Sequence, residues 1–367
     1  MALALNTEEA VARARADLRI GAPVALVSSA GGALVLAAET SSRERLAGLR
    51  EIAPDGLALA VSHRRADTLK ARAYDGDVAR IVIPEDVDLD WVRATADPAL
   101  DLSHPMRGPY RTLREGPANL HRLGIALAKQ ARLLPAVIVA SWPDANQVKE
   151  IAGEAGFSVL SEVQVHRAAD AAIRMERVSG ARVPTRFAEA GRVHVFRPAD
   201  GGEEHYAIEV GSPARDRAVL SRLHSACFTG DVIGSLKCDC GPQLSAAMDQ
   251  IADEGAGVLL YMNQEGRGIG LANKMRAYAL QDQGYDTVEA NHRLGFEDDE
   301  RDFRLGAEIL KALGFSSVRL MTNNPGKIEM MEASGVAVAE RVPLKVGETP
   351  QNRAYLETKA AKSGHLL

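Results

Sequence analysis

At 367 residues the chain exceeds the size at which a single hydrophobic core usually stops growing, so two domains are expected. Its 46% hydrophobic and 25% charged residues are those of an ordinary folded protein and exclude a disordered chain. A net charge of −5 argues against a dedicated nucleic-acid binder, because affinity for a phosphate backbone rests on a lysine and arginine excess that is missing here.

Met1 to Ala10 has no basic stretch ahead of an apolar core, and no later segment offers the roughly 20 apolar residues of a membrane span. A cytoplasmic protein without membrane partners is expected. The first half reads as alternating helices and strands. Thr7 to Leu18 has helical periodicity, and Val24 to Val27 and Ala33 to Ala37 are apolar strands. Asn119 to Leu134 is again helical and leads through Pro135 into Ala136 to Ala140, an apolar run of the kind buried on both faces of a sheet. The helix Asp144 to Ala155 ends at Gly156. Ser179-Gly180-Ala181-Arg182 reads as the joint, giving an α/β domain over 1–180 and a second, mixed α/β domain over 181–367.

The second half opens with strands Val193 to Phe196 and Tyr206 to Val210 around the turn Asp200-Gly201-Gly202, an antiparallel entry. Strand Ala218 to Leu223 follows, then a helix with Pro242 at its start and Leu244, Met248 and Ile251 along its apolar stripe. The remaining elements are strand Gly257 to Met262, helices Leu271 to Asp282 and Arg301 to Leu313, strand Val318 to Thr322, a helix from Pro325, and strand Val336 to Ala339.

Three cysteines, Cys227, Cys238 and Cys240, fall within fourteen residues, an odd count that suits a reduced compartment and a thiolate metal site better than a disulfide framework. Gly241-Pro242 after the last favours a tight turn, which puts the sulfurs on one side. Zinc suits three soft thiolates, and with the fourth position open it lowers the pKa of a bound water toward neutrality. The spacing leaves a second possibility equally open: a closed structural cage with His224 as fourth ligand. Three small buried cysteines would explain the clustering poorly.

Two strand-to-helix junctions could receive an anion. Gln264-Glu265-Gly266-Arg267-Gly268-Ile269-Gly270 lets backbone amides approach a phosphate and carries a planar cation. Thr322-Asn323-Asn324-Pro325-Gly326-Lys327 places polar caps, a proline and a lysine at a helix start. Either alone is an ordinary turn; two suit a triphosphate. Glu297-Asp298-Asp299-Glu300-Arg301-Asp302 reads as an acidic helix opening in which Arg301 is held among carboxylates, and Tyr278 as a core tyrosine with a wet hydroxyl.

Together these motifs strongly resemble GTP cyclohydrolase II. The resemblance runs from Val183-Pro184-Thr185 through Arg222-Leu223-His224-Ser225, the cysteine segments, Arg276-Ala277-Tyr278-Ala279-Leu280-Gln281, Asp299-Glu300-Arg301-Asp302-Phe303 and Thr322-Asn323-Asn324-Pro325 to Lys359. It implies one zinc per subunit on Cys227, Cys238 and Cys240, and GTP as substrate with Mg2+ on its triphosphate. Arg222, His224, Ser225, Gln243, Glu265, Gly266, Arg267, Thr287, Thr322 and Lys327 are the implied substrate residues. Asp299 is then the proton acceptor, Arg301 the nucleophile toward the guanylyl group and Tyr278 a catalytic tyrosine, in a homodimer of the riboflavin pathway. One departure stands out: Ala226 occupies the place where the family has glutamate before its first cysteine.

The first half resembles dihydroxybutanone phosphate synthase in layout, through Gly21 to Val27 followed by Leu34 to Glu39. Its acidic stretch is replaced by Ser28-Ser29-Ala30-Gly31-Gly32, so a scaffold without synthase activity is expected. Two alternatives remain: a cyclohydrolase paralogue acting on another purine or pyrimidine, and a zinc-stabilised nucleotide-binding protein without turnover.

Overall fold

The computed structural model describes residues 4–53, 55–353, 356–357, 364 and 366; Lys359, the last residue of the resemblance, lies outside them. The chain forms two compact units, one of residues 1–171 with 272–298, the other of 172–271 with 299–367.

The first unit begins with helix α1 (Thr7–Arg19), strands β1 (Val24–Ser28) and β2 (Gly31–Ala37), α2 (Arg43–Ile52), β3 (Leu57–Ser62) and α3 (His63–Leu69). It continues through β4 (Val78–Ile83), α4 (Leu89–Ala96), α5 (Asn119–Gln130), β5 (Ala136–Trp142), α6 (Ala145–Ala155), β6 (Ser158–Ser161) and α7 (Glu162–Asp170). Its six strands are ordered β4-β3-β5-β2-β1-β6, antiparallel except for the β1–β6 pair. As the run Ala136 to Ala140 implied, β5 is an inner strand, paired on both sides and almost wholly buried. One face carries Leu46, Leu49, Val92 and Val148 from α2, α4 and α6; the other carries Val11, Leu18, Leu127 and Val165 from α1, α5 and α7. A sheet covered on both faces needs apolar residues at successive positions, which is why these strands read as continuous runs.

His121, on α5, is buried, and burial pushes its pKa down to about 4, assisted by the charge of Arg80. Its imidazole is therefore neutral in the folded unit and protonates near its ordinary value of roughly 6.5 only once unfolded. Sign and window follow: stability is full above about pH 6.5 and falls as the pH drops toward 4, by roughly 2–3 kcal/mol at pH 4.5. His121→Leu should flatten that part of the slope; urea unfolding of both proteins between about pH 7.5 and 4.5 checks it.

The second unit holds β7 (Met175–Arg182), β8 (Gly191–Pro198), β9 (His205–Val210) and β10 (Val219–Ser225), then a π turn at Phe228–Val232 and α8 (Cys240–Glu254). Strand β11 (Gly257–Met262) follows, and the chain then runs through α9 (Leu271–Asp282) and α10 (Thr287–Leu294), of which residues 272–298 belong to the first unit. It returns as α11 (Arg304–Ala312), β12 (Ser317–Met321), α12 (Pro325–Ala333) and β13 (Ala337–Val342). The seven strands are ordered β13-β12-β10-β11-β9-β8-β7. The antiparallel entry is present in β7, β8 and β9, while β11, β10, β12 and β13 are mutually parallel.

Three expectations are corrected. The joint expected at Ser179-Gly180-Ala181-Arg182 is the second half of β7, paired with β8 through Ser179↔Val195 and Ala181↔Val193. It reads as a linker because β7 is an edge strand, exposed along nearly its whole length, and so needs no apolar alternation. The change of unit falls at 171/172 rather than 180/181, and 272–298 packs with the first unit. Finally, the acidic run at 297–302 opens no helix: α11 starts at Arg304, whose amide donates to the Asp302 carboxylate at 3.0 Å. Among the described residues no helix is long and apolar enough to cross a membrane.

Candidate active site

The C-terminal ends of parallel strands are where an α/β sheet gathers ligand-binding loops. Here β10 runs into the cysteine loop, β11 into Asn263–Gly270 and β12 into Thr322–Lys327. Strand β10 is buried almost throughout, so its alternation sends Arg222 and His224 to one face and Ser221, Leu223 and Ser225 to the other.

The Sγ atoms of Cys227, Cys238 and Cys240 all lie within 4.8 Å of one another, the first two buried. That donor set fits zinc. The turn closes because Gly230 has no side chain: a Cβ there would sit 2.6 Å from Cys238 Sγ and 3.2 Å from Cys227 Sγ. The Gly230 amide also donates to Cys227 Sγ at 3.3 Å. Gly230→Ala should therefore push the sulfurs apart and weaken zinc retention by about 10–100-fold, as measured by competition with a chelator.

His224 stands outside the three-sulfur cluster. Its Nε2 faces the Asp231 carboxylate at 3.0 Å, while the same carboxylate accepts from the Cys227 amide and from the Tyr261 hydroxyl, each at 3.0 Å. Burial lowers the His224 pKa against the opposing pull of Asp231, so the imidazole is neutral at pH 7. Burial and the Asp231 charge push the Tyr261 pKa up, which keeps its hydroxyl a donor. Asp231 was not singled out from the sequence; its signal was only its place four residues after Cys227, where one carboxylate can meet both the strand and the loop.

Arg222 is buried, and burial pushes its pKa down to about 10, so it stays charged. Its guanidinium donates to Met321 O at 2.9 Å and to Gln243 Oε1 at 2.6 Å, and Gln243 Nε2 donates in turn to Asp239 Oδ2 at 2.5 Å. Three thiolates around a dication would leave a net negative charge, which buried Arg222 on the preceding strand β10 offsets.

In the β11 loop, Gly266, Arg267 and Gly268 all take left-handed φ, at 63°, 59° and 93°. Arg267 does so without the glycine exemption, at a cost of about 1 kcal/mol. The turn is pinned where the Glu300 amide donates to Arg267 O at 3.0 Å, and a Cβ on Gly268 would meet Glu300 O at 2.7 Å. Glu265 Oε2 accepts from the Phe228 amide at 2.6 Å, tying this loop to the cysteine loop.

Asp299 and Arg301 form a two-pronged pair, Nε to Oδ1 at 2.7 Å and Nη2 to Oδ2 at 2.5 Å, with Arg301 Nη1 3.4 Å from Ser225 Oγ. At the third loop, Asn324 caps α12 through the Gly326 amide, Thr322 Oγ1 accepts from the Asn324 amide, and buried Lys327 donates to Leu223 O at 2.8 Å. Half-buried Ala226 donates its amide to Met262 O at 2.7 Å. Fourteen of the sixteen sequence-predicted site residues fall in this second unit, on β10, the start of α8, the loops after β10, β11 and β12, and the stretch before α11. Tyr278 and Thr287 do not: they lie on 272–298, in the other unit. There Tyr278 is half-buried with Lys274 Nζ 5.7 Å from its ring, and Thr287 Oγ1 accepts from Gln281 Nε2 at 2.9 Å.

The family model of GTP cyclohydrolase II matches residues 176–343. A GTP cyclohydrolase-2 from Azospirillum brasilense is 44% identical over 99% of this chain and 92% of its own length. The chain belongs to the GTP cyclohydrolase II family. A GTP cyclohydrolase-2 from Shigella boydii is 55% identical over 53% of this chain and 99% of its own length, which leaves that relative no room for a counterpart of most of residues 1–171. Among solved structures, a two-domain 3,4-dihydroxy-2-butanone 4-phosphate synthase from A. baumannii aligns over 92% of this chain and 99% of its own at 17% identity and a TM-score of 0.32. The synthase of Candida albicans aligns over 43% of this chain and 95% of its own at 16% identity and a TM-score of 0.34. At such scores neither match carries an inference about activity.

Proposed function

We propose that this member of the GTP cyclohydrolase II family hydrolyses GTP to 2,5-diamino-6-hydroxy-4-(5-phosphoribosylamino)pyrimidine, formate and pyrophosphate. The observation that carries the reading is the three-sulfur cluster in the loop after β10, with Glu265, Arg301 and Lys327 from three other segments bonded to Phe228, Ser225 and Leu223 of that strand and loop. Cys227, Cys238 and Cys240 would hold one zinc, and Mg2+ would accompany the triphosphate. When bound, zinc would supply a Lewis acid that readies water for attack on the ring near neutral pH.

The protein's own groups do the rest. The amide-rich turn at Gly266–Gly270, Arg267 and the capped start of α12 with Lys327 offer donors and positive charge to phosphate oxygens. Arg222 and Gln243 brace the cysteine loop from behind, and the Asp231 carboxylate fixes the His224 ring. For Asp299 and Arg301 the pairing supports joint action: burial alone would raise the Asp299 pKa, but the bonds and charge of Arg301 hold the carboxyl below the ordinary carboxylate range. A carboxylate held that low orients its arginine well and becomes a useful base only when a substrate opens the pair. Tyr278 and Thr287 enter the reading through the resemblance alone, and a cytoplasmic homodimer is its natural setting.

Turnover of GTP against ATP, dGTP and cytidine nucleotides, with zinc and Mg2+ supplied, tests the reading. Formate from GTP alone supports it; release from another base instead, or tight GTP binding with no formate, contradicts it. Ala226→Glu should raise the GTP rate, by up to on the order of a hundredfold if the absent carboxylate positions the site.

A further inference from the structure

The segment 272–298 is part of the family's cyclohydrolase region by sequence, yet it is bolted to residues 1–171 at both of its ends. At its start, the Arg276 guanidinium donates from Nε to Asp97 Oδ2 at 2.8 Å, from Nη2 to Glu39 Oε1 at 3.1 Å and from Nη1 to Asn273 Oδ1 at 2.7 Å. All three charged side chains are largely withdrawn from solvent, at 21%, 19% and 16% exposure for Arg276, Glu39 and Asp97. The carboxylates are themselves fixed: Glu39 Oε2 accepts from the Leu134 amide at 2.8 Å and Asp97 Oδ1 from the Ala99 amide at 2.9 Å. Asn273, fully buried, donates to Arg132 O at 3.1 Å.

At its end, Arg64 of α3 donates twice to Glu297 Oε2, at 2.8 and 3.2 Å, and its Nη1 lies 3.1 Å from His292 Nδ1. His292 Nε2 meets Asp298 Oδ1 at 2.5 Å, and Lys129 of α5 sits over the Phe296 ring. Tyr278 and Thr287 lie between the two anchors. Tyr278 is two residues beyond Arg276 on one rigid helix, roughly 3 Å along its axis. The second anchor ends at Asp298, the residue before Asp299.

We propose that residues 1–171 act as a positioning clamp on 272–298, with Glu39, Asp97 and Arg64 as positioning residues that set the turnover of the cyclohydrolase site. The clamp rests on the reading of Tyr278 and Asp299 given above. Two partly buried carboxylates on one arginine of a neighbouring helix set that helix's position and rotation, because the fork admits one geometry and leaving it strands the charges. The shorter relative shows that the family can exist without this module; in this chain the module holds the segment instead.

The test uses the full-length protein. Glu39→Gln with Asp97→Asn, and separately Arg64→Met at the more exposed anchor, are compared with wild type and Glu39→Asp for formate production, zinc content and amide hydrogen exchange. The clamp predicts faster exchange across 272–298, a fall in kcat of about tenfold with KM and zinc within about twofold, and partial recovery in Glu39→Asp. Tyr278→Phe runs in parallel. Lower kcat in the clamp variants while Tyr278→Phe stays active upholds the clamp and sinks the assignment of Tyr278. Unchanged kcat or unchanged exchange in both clamp variants overturns the clamp, whatever Tyr278→Phe does.

Discussion

Cys238→Ser should cost bound zinc and, with it, formate release by on the order of 10³-fold or more. Serine has the size of cysteine but keeps its proton at neutral pH and offers a hard oxygen where a soft thiolate is wanted, so two sulfurs remain to hold the ion. The fold of the second unit should survive, because its two apolar clusters are built on Phe196, Leu223, Leu260 and Phe315 and on Leu220, Met248, Ile251 and Leu259, none of them a cysteine. Zinc per chain by atomic absorption, alongside circular dichroism, separates metal loss from unfolding. A variant that keeps one zinc per chain and loses activity would mean that His224 or another group is the third ligand.

Arg301→Lys should lower kcat by on the order of 10²-fold while zinc content stays at the wild-type level. Lysine preserves the charge but not the fork: Arg301 places two nitrogens on the two Asp299 oxygens and stacks its guanidinium 4.8 Å from the Phe303 ring. An ammonium makes one of these contacts at a time. The pH dependence carries a sign. Asp299 has a folded pKa held below its ordinary value by Arg301 against the opposing effect of burial, so its ionised contribution is complete above about pH 4 and lost only as the pH falls through the lowered value. An acidic limb of the rate profile near pH 6 therefore belongs to another group, and Asp299→Asn should lower the rate without moving that limb. Steady-state formate assays from about pH 5 to 9 measure both effects.

How much of this was legible in the sequence varied with how local the determinant is. The cysteine cluster is a matter of spacing and a Gly-Pro turn, and the structure brings all three sulfurs together. The start of α12 was equally readable, since Asn324 and Pro325 encode its cap and first turn within two residues. The setting of His224 was not, because it depends on Asp231, which meets the Nε2 of that ring from seven residues along the chain. The acidic run at 297–302 misled for a related reason: helix openings and ion-paired loops share a composition, and here Asp299 and Asp302 serve the side chains of Arg301 and Arg304. Least readable was the destination of 272–298, whose amphipathic helices fit any apolar or salt-bridged surface. Glu39, Asp97 and Arg64, more than a hundred residues upstream, are among the partners that determine which one.

The most direct measurement is the fate of carbon 8 of guanine. Incubating the zinc- and Mg2+-loaded protein with GTP labelled with 13C at that position should give labelled formate in step with pyrophosphate, and Cys238→Ser should give neither. Labelled carbon that stays in the purine, while pyrophosphate or nothing is released, would contradict the account.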